Sequence, residues 1–432
     1  MKLEELIQSV KEDKFNEVFS SLYGEENLSF QKDRYLNMLN NSLNHLSNND
    51  EVILLSAPGR TEIGGNHTDH QLGRVLAASI NLDVIGVVSK TGDNIVTYTT
   101  DAFEVKPVDL SDLSIIYEEK NTTEALIRGI HARLDELKYK IGGFKAYAES
   151  NVSTGSGLSS SAAFEVFIGA ANNILYNDNK ITPVEIAQIS QYAENTYFMK
   201  ACGLMDQVAC ACGNFVYINF ADEEYPEIET IDVNLDNFNY DLILTNTNSS
   251  HDDLSDDYSA IPTEMKGVAM QMDASVLSTL TLDDLIDHVQ KVRKNCGDRA
   301  FLRSYHFFNE TERAFDEAEA LKANDFDYFL ELVNESGRSS WMYLQNVIVP
   351  HDNFKQELGV ALALSEAVLG NSGAYRVHGG GFAGTIIAFV PKDTTEDYIK
   401  TMELAFGENC SQKLRIRNKG YFELTKGDEE NA

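Results

Sequence analysis

Gly59-Arg60-Thr61-Glu62-Ile63-Gly64-Gly65-Asn66-His67-Thr68-Asp69-His70 is poor material for a hydrophobic core. It packs a cation (Arg60), three glycines, two histidines and a carboxylate (Asp69) into twelve positions. Carboxylate, amide and imidazole groups bond readily to hydroxyls, and glycine lets the backbone come close to a ligand. The stretch leaves an apolar run, Val52 to Leu55, which reads as a buried strand. A polar loop held by a rigid strand suits a small polyhydroxylated ligand; an ordinary polar turn is the alternative at this point.

Working outward, a second segment runs Asn151-Val152-Ser153-Thr154-Gly155-Ser156-Gly157-Leu158-Ser159-Ser160-Ser161-Ala162-Ala163. A strand-like stretch, Gly143 to Glu149, precedes it. A helical pattern with apolar Phe164, Phe167, Ile168, Ala171 and Leu175 follows. Strand, Gly/Ser loop and helix N-terminus together aim backbone N–H groups and the helix dipole at phosphate. Gly155 and Gly157 let the loop approach, and the serine hydroxyls add donors or a metal contact. No Gly-Lys-Ser/Thr follows, so this is not a Walker A loop. A flexible linker is the bland reading, but the tight strand and helix frame speaks against it. A third segment, His378-Gly379-Gly380-Gly381-Phe382-Ala383-Gly384, precedes an apolar strand-like run, Thr385 to Val390. It signals close backbone approach to a ligand or to a packed neighbour.

In this order the three segments resemble the GHMP small-molecule kinases. The first is similar to the signature of their galactokinase branch, Gly-Arg-x-Asn-x-Ile-Gly-Glu-His-x-Asp-Tyr. Ala193-Glu194-Asn195 with Cys202-Gly203-Leu204-Met205-Asp206-Gln207 resembles the family stretch that carries a metal-ligand glutamate and a catalytic aspartate. His251 and Tyr258 resemble its His…Glu-Tyr segment. The resemblance covers roughly residues 45 to 425.

The resemblance implies a two-domain α/β (α+β) fold with the active site in the cleft between domains. It implies transfer of the γ-phosphate of ATP to the anomeric hydroxyl of α-D-galactose. An anomeric kinase for galacturonate or N-acetylgalactosamine is the alternative, or a regulator that responds to sugar and ATP without turnover. Asp206 would accept or orient the hydroxyl proton, with Arg60 holding it ionised and stabilising the transferring phosphoryl group. Arg60, Asn66, His67, Asp69, Gly203, Asp206 and Tyr258 would bind the sugar. Gly155, Ser156, Gly157, Leu158, Ser159, Ser160 and Ser161 would cradle ATP, with Ser161 and Glu194 on Mg²⁺. Three departures stand out. Asn66 replaces the signature glutamate, which the resemblance places on the sugar's C6 hydroxyl, so a C6 carboxylate would be tolerated. His70 replaces tyrosine, and Ser153 stands where proline is usual.

Composition agrees with such an enzyme. At 432 residues the chain exceeds what one core usually serves. We expect a helical extension over 1–46, an N-terminal domain over 47–240 with both ligand loops, and a C-terminal domain over 241–432. The amphipathic stripe Leu3, Leu6, Ile7 and Val10 points to packing of the extension. A formal charge of −33 argues against nucleic acid or anionic membrane as partner. It leaves a nucleotide site to backbone N–H groups, a metal and a few local cations. Five cysteines without a Cys-x-x-Cys motif read as reduced thiols. With a charged N-terminus and no long apolar run, a cytoplasmic protein is expected, and a monomer.

Overall fold

The structure, a computed structural model, describes residues 1–153, 157–222, 225–249 and 254–426. Three helices come first: α1 (Leu3–Lys11), α2 (Asn16–Tyr23) and α3 (Leu28–Ser42). A first layer follows, with β1 (Ile53–Gly64), β2 (Arg74–Lys90), β3 (Ile95–Thr99), β4 (Val108–Asp109), α4 (Thr123–Glu136), β5 (Phe144–Ser150), α5 (Ser160–Tyr176), α6 (Pro183–Ala193), α7 (Met205–Cys212), β6 (Phe215–Asn219) and β7 (Glu227–Ile231). A second layer holds β8 (Tyr240–Asn246), α8 (Ser255–Gln271), α9 (Leu282–Asp287), α10 (Val289–Asn295), α11 (Asp298–Lys322), α12 (Phe326–Ser339), α13 (Glu357–Leu369), β9 (Ala374–His378), β10 (Thr385–Pro391), α14 (Thr395–Phe406) and β11 (Ser411–Leu414). The last strand, β12 (Phe422–Glu423), returns to pair with β1.

The first sheet runs β12-β1-β2-β5-β3-β4, with β6 and β7 continuing from β2. The long β2 serves two partners: its first part pairs β6, its last part β5. The second sheet is antiparallel, β11-β8-β10-β9. On one face of the first sheet, apolar positions of α5 such as Phe164, Phe167 and Ile168 share a core with Val84, Val88 and Ala148. That is the helical periodicity read from the sequence meeting the alternation of strands. On the other face, Phe19, Tyr23, Tyr35 and Met38 of α2 and α3 bury against Leu54, Ile85, Val87 and Tyr147. The N-terminal piece is therefore a packed cover for the sheet.

A buried ion network rivets that cover. Asp83 on β2 pairs with Arg34 of α3 at 2.6 Å and with Arg417 of the C-terminal segment at 2.9 Å. Tyr23 adds a hydrogen bond to Asp83 at 2.5 Å. Burial alone would raise the Asp83 carboxyl, but the two guanidinium groups bring it below its usual range. Breaking such a pair costs roughly 3–5 kcal/mol, because it strands a buried charge.

One sequence expectation needs correction. Residues 59–70 are not a loop throughout. β1 extends to Gly64, so Arg60 and Glu62 lie in the strand. Its register with β2 shifts between Pro58 and Arg60 and again between Glu62 and Gly64. Each irregularity bends the strand and re-aims a side chain. Polar side chains belong in a strand here because both layers press on it and supply them with partners.

Candidate active site

The end of β1, the N-terminus of α5 and the N-terminus of α7 meet at one point. Arg60 Nε donates to Asp206 Oδ1 at 2.7 Å, and its Nη2 stands 2.7 Å from the same oxygen. Arg60 Nη1 donates to the carbonyl of Gly157, and the Ser159 hydroxyl donates to Asp206 Oδ2. Asp206 is the second residue of α7, where a carboxylate also suits the helix dipole. Its side chain keeps 31% exposure, enough for a substrate to reach it. Burial pushes its carboxyl up, but the Arg60 charge and hydrogen bond, aided by Ser159, hold it below the usual range. The pair is thus ionised and preorganised.

The phosphate-loop residues Gly157, Leu158 and Ser159 adjoin this pair, and Ser160 and Ser161 open α5. Gly155, Ser156 and His251 lie outside the described residues. Gly157 has φ +72°, and a Cβ there would stand 3.1 Å from His378 Nδ1. His378 comes from the glycine-rich third motif. Its Nδ1 lies 2.9 Å from Thr385 Oγ1, and its Nε2 lies 3.1 Å from Thr61 Oγ1 and accepts from Glu62 N at 3.3 Å. Burial, with Arg60 and Arg376 nearby, keeps His378 neutral, well below the usual imidazole pKa. The third motif therefore packs against β1 and the phosphate loop.

A cavity of about 780 Å³ lies beside the pair. Asn66, His67, Asp69, Gly203 and Tyr258 line it, and its wall runs through Leu204 and Met205 to the residue before Asp206. A Cβ on Gly203 would stand 2.5 Å from Asp69 Oδ2, so glycine is what lets these two segments touch. His67 Nε2 lies 3.0 Å from the carbonyl of Gly380, and Tyr258 donates to the carbonyl of Gly381 at 2.7 Å. Among the described residues no Lys or Arg lines this cavity.

Asn66 sits differently from the other lining residues. It is 1% exposed and its side chain is fully engaged. Nδ2 donates to Glu62 Oε1 and to the Gly379 carbonyl, both at 2.8 Å. Oδ1 accepts from Asn346 at 2.8 Å and from Ser340 at 3.4 Å. It ties the sugar loop to the glycine-rich turn and to the segment after α12.

Glu194 sits in a buried corner with Gln207 and Glu165. Glu194 is 2% exposed, in a π-helical turn (Glu194–Phe198) that follows α6. Such turns recur at functional sites. Its Oε2 accepts from Gln207 at 2.9 Å, and Lys200 pairs with Oε1 at 3.0 Å. Gln207 also donates to Glu165 Oε2 at 3.1 Å, while Glu165 Oε1 is buried without a partner. Burial and the Glu194 charge push the Glu165 carboxyl well up. Gln207 thus joins the two buried carboxyl groups of Glu194 and Glu165. Among the described residues no group of three or more His, Cys, Asp or Glu is placed to hold a metal ion.

Several supporting residues escaped the sequence reading. Arg376 bridges Glu62 Oε1 at 2.8 Å and the Ile63 carbonyl at 2.5 Å. Glu310 of α11 accepts from Gly65 N at 3.2 Å, Asn66 N at 3.3 Å and Ser336 at 2.5 Å. His306 Nε2 donates to the Asn66 carbonyl at 2.9 Å. These partners lie over two hundred positions away in sequence, where no local pattern marks them. Lys200 had a signal, since it lies between Glu194 and Asp206. All five cysteines are free thiols. Among the described residues, no helix is long and apolar enough to cross a membrane.

Comparison with known proteins adds independent findings. The GHMP kinases N terminal domain matches residues 124–214, and the galactokinase galactose-binding signature matches residues 44–90. A galactokinase of Glaesserella parasuis serovar 5 is 30% identical over 371 residues, covering 84% of this chain and 91% of that protein. A galactokinase of Clostridium tetani is 29% identical over 349 residues, covering 80% and 85%. Lactococcus lactis galactokinase complexed with galactose superposes with a TM-score of 0.75 at 23% identity, covering 90% of this chain and all of that one. Methanococcus jannaschii mevalonate kinase gives 0.60 at 15% identity, covering 86% of this chain, so the wider fold is shared. With the Arg60–Asp206 pair and the adjoining cavity in place, the chain belongs to the galactokinase family of GHMP kinases.

Proposed function

We propose that this chain is an ATP-dependent galactokinase that phosphorylates the anomeric hydroxyl of α-D-galactose. The observation that carries this is the Arg60–Asp206 pair, placed between the N-terminus of α5 and a polar cavity lined by Asn66, His67 and Asp69. The sugar oxygen attacks the γ-phosphorus, and the bond to the bridging oxygen of ADP breaks, ADP leaving with the electron pair. The hydroxyl proton passes to Asp206. Arg60 makes Asp206 a weak base, so the proton moves late, as the new O–P bond forms in a loose transition state. Until then Asp206 orients the hydroxyl in line. Arg60 meanwhile supplies fixed positive charge that needs no rearrangement. Ser161 and Glu194, with the orphan oxygen of Glu165 behind them, are the residues that would hold Mg²⁺. When bound, the ion neutralises phosphate charge.

The cavity favours a neutral sugar. Asp69 lines it and no Lys or Arg among the described residues does, so a sugar carboxylate would enter with no countercharge. A coupled ADP-release screen over galactose, galacturonate, N-acetylgalactosamine, glucose and arabinose tests this. Galactose should give the highest kcat/KM. A higher value for galacturonate would overturn it.

A further inference from the structure

We propose that Lys200 is a phosphate-contacting catalytic cation, parked on Glu194 until the metal of the nucleotide takes that oxygen. This rests on the kinase reading and extends it to a residue outside the motifs that suggested it. Lys200 Nζ lies 3.0 Å from Glu194 Oε1, while Glu194 Oε2 is already occupied by Gln207. A metal that binds Oε1 would meet the ammonium there. Two cations cannot share it without repulsion, so the ammonium is displaced when the metal arrives.

A displaced ammonium has an evident destination. The chain carries a formal charge of −33, so phosphate neutralisation falls to local cations. Arg60 is committed, with Nε and Nη2 on Asp206 and Nη1 on the Gly157 carbonyl. Lys200 is the other cation whose charge reaches Asp206. Its side chain is 59% exposed against 3% for Glu194, so the head can leave without a large desolvation penalty. Its backbone does not move with it. Lys200 N donates to the Glu194 carbonyl at 3.1 Å, closing the π-helical turn, and Met199 before it holds φ +63°. The stem is anchored and the four-carbon arm swings, which is how lysine serves as a mobile point charge.

A purely structural role, compensating Glu194 beside Glu165, predicts different behaviour. The test compares Lys200→Met and Lys200→Arg with wild type in the full chain. Titration calorimetry with Mg–AMP-PNP, MgADP and galactose is run beside steady-state kinetics. Lys200→Met should lose about a hundredfold in kcat, as on removal of one preorganised donor to developing charge. Its galactose Kd should stay within about twofold, and Mg–AMP-PNP affinity should fall more than MgADP affinity, since the γ-phosphate is the partner. The Mg²⁺ concentration that half-saturates AMP-PNP binding should fall, because the competing ammonium is gone. Lys200→Arg should recover much of the kcat. A kcat within about threefold of wild type with only a lowered Tm would overturn the proposal and leave Lys200 a structural countercharge. If wild type ignores galactose but Lys200→Met still loses AMP-PNP affinity, the sugar assignment fails and the Lys200 assignment stands.

Discussion

Asn66 Nδ2 stands 2.8 Å from Glu62 Oε1, and both side chains are buried. The galactokinase signature has these two residue types the other way round, asparagine first and glutamate four positions later. In this chain the carboxylate occupies the first position, where Arg376 pairs with it at 2.8 Å, and the amide occupies the second. Burial pushes the Glu62 carboxyl up, and Arg376 draws it part of the way back. The exchange therefore keeps the pair and moves its charge four positions along the chain, onto Arg376.

Restoring glutamate at 66 alone should harm the protein. Asn66→Glu sets two carboxylates against each other, a repulsion of about 4 kcal/mol at an effective dielectric near 20. It also discards the donor to the Gly379 carbonyl. Tm should drop by several degrees and galactose affinity should fall. The double variant Glu62→Asn/Asn66→Glu should recover most of both. Thermal melts and galactose titration decide; a double variant no better than Asn66→Glu would show that the two positions are uncoupled.

Asp206→Asn keeps size and removes charge. Turnover should collapse by about two to four orders of magnitude, the usual worth of a general base, with galactose Kd little changed. Stopped assays with bound-sugar measurement separate the two quantities. Near-normal turnover would remove Asp206 from the chemistry.

Gly157→Val forces a β-branched residue to φ +72° and presses it on His378. Strain of about 1–3 kcal/mol would fall on the carbonyl that Arg60 grips. Nucleotide affinity should fall at least about tenfold while galactose affinity moves far less. Equal losses of the two would point to general misfolding.

Acid sensitivity has an assignable component in His131. It lies fully buried on α4, its Nδ1 donating to the Ile127 carbonyl one turn back at 2.7 Å. Burial lowers its pKa to about 4. The unfolded chain takes this proton near pH 6.5, so between about 6.5 and 4 the unfolded state binds more protons than the folded one. Stability from this group is therefore complete above pH 6.5 and drains as pH falls. Glu165 and Glu317, both raised by burial, work in the opposite direction, so the residue must be isolated by difference. Between pH 7.5 and 5.5 the stability gap between wild type and His131→Gln should narrow by about 1.4 kcal/mol in urea titrations, one pKa unit's worth. A gap independent of pH would show that His131 is not the group.

The first and third motifs show how unevenly the site was legible. The family resemblance named Arg60 and Asp206, 146 positions apart, and the structure brings them within 2.7 Å of each other. The loop assignment of 59–64 failed because polar residues normally mark a loop, and only tertiary partners such as Arg376 and His378 make them tenable in a strand. Asn66 read as a pocket residue because the resemblance sets it at the position of the signature glutamate. That its side-chain hydrogen bonds go to Glu62, Gly379, Asn346 and Ser340 could be seen only once those segments were adjacent.

The sequence by itself determined the α/β class, the strand-loop-helix frame for phosphate and the acidic balance that leaves charge neutralisation to a few residues. These follow from local periodicity, glycine placement and composition, all properties of neighbours along the chain. Only the tertiary structure decided which buried carboxylates are paired, what Asn66 touches and that Lys200 holds Glu194 Oε1. Each of those depends on burial and on distances between residues far apart in sequence, and electrostatic energy in a buried site is set by such distances.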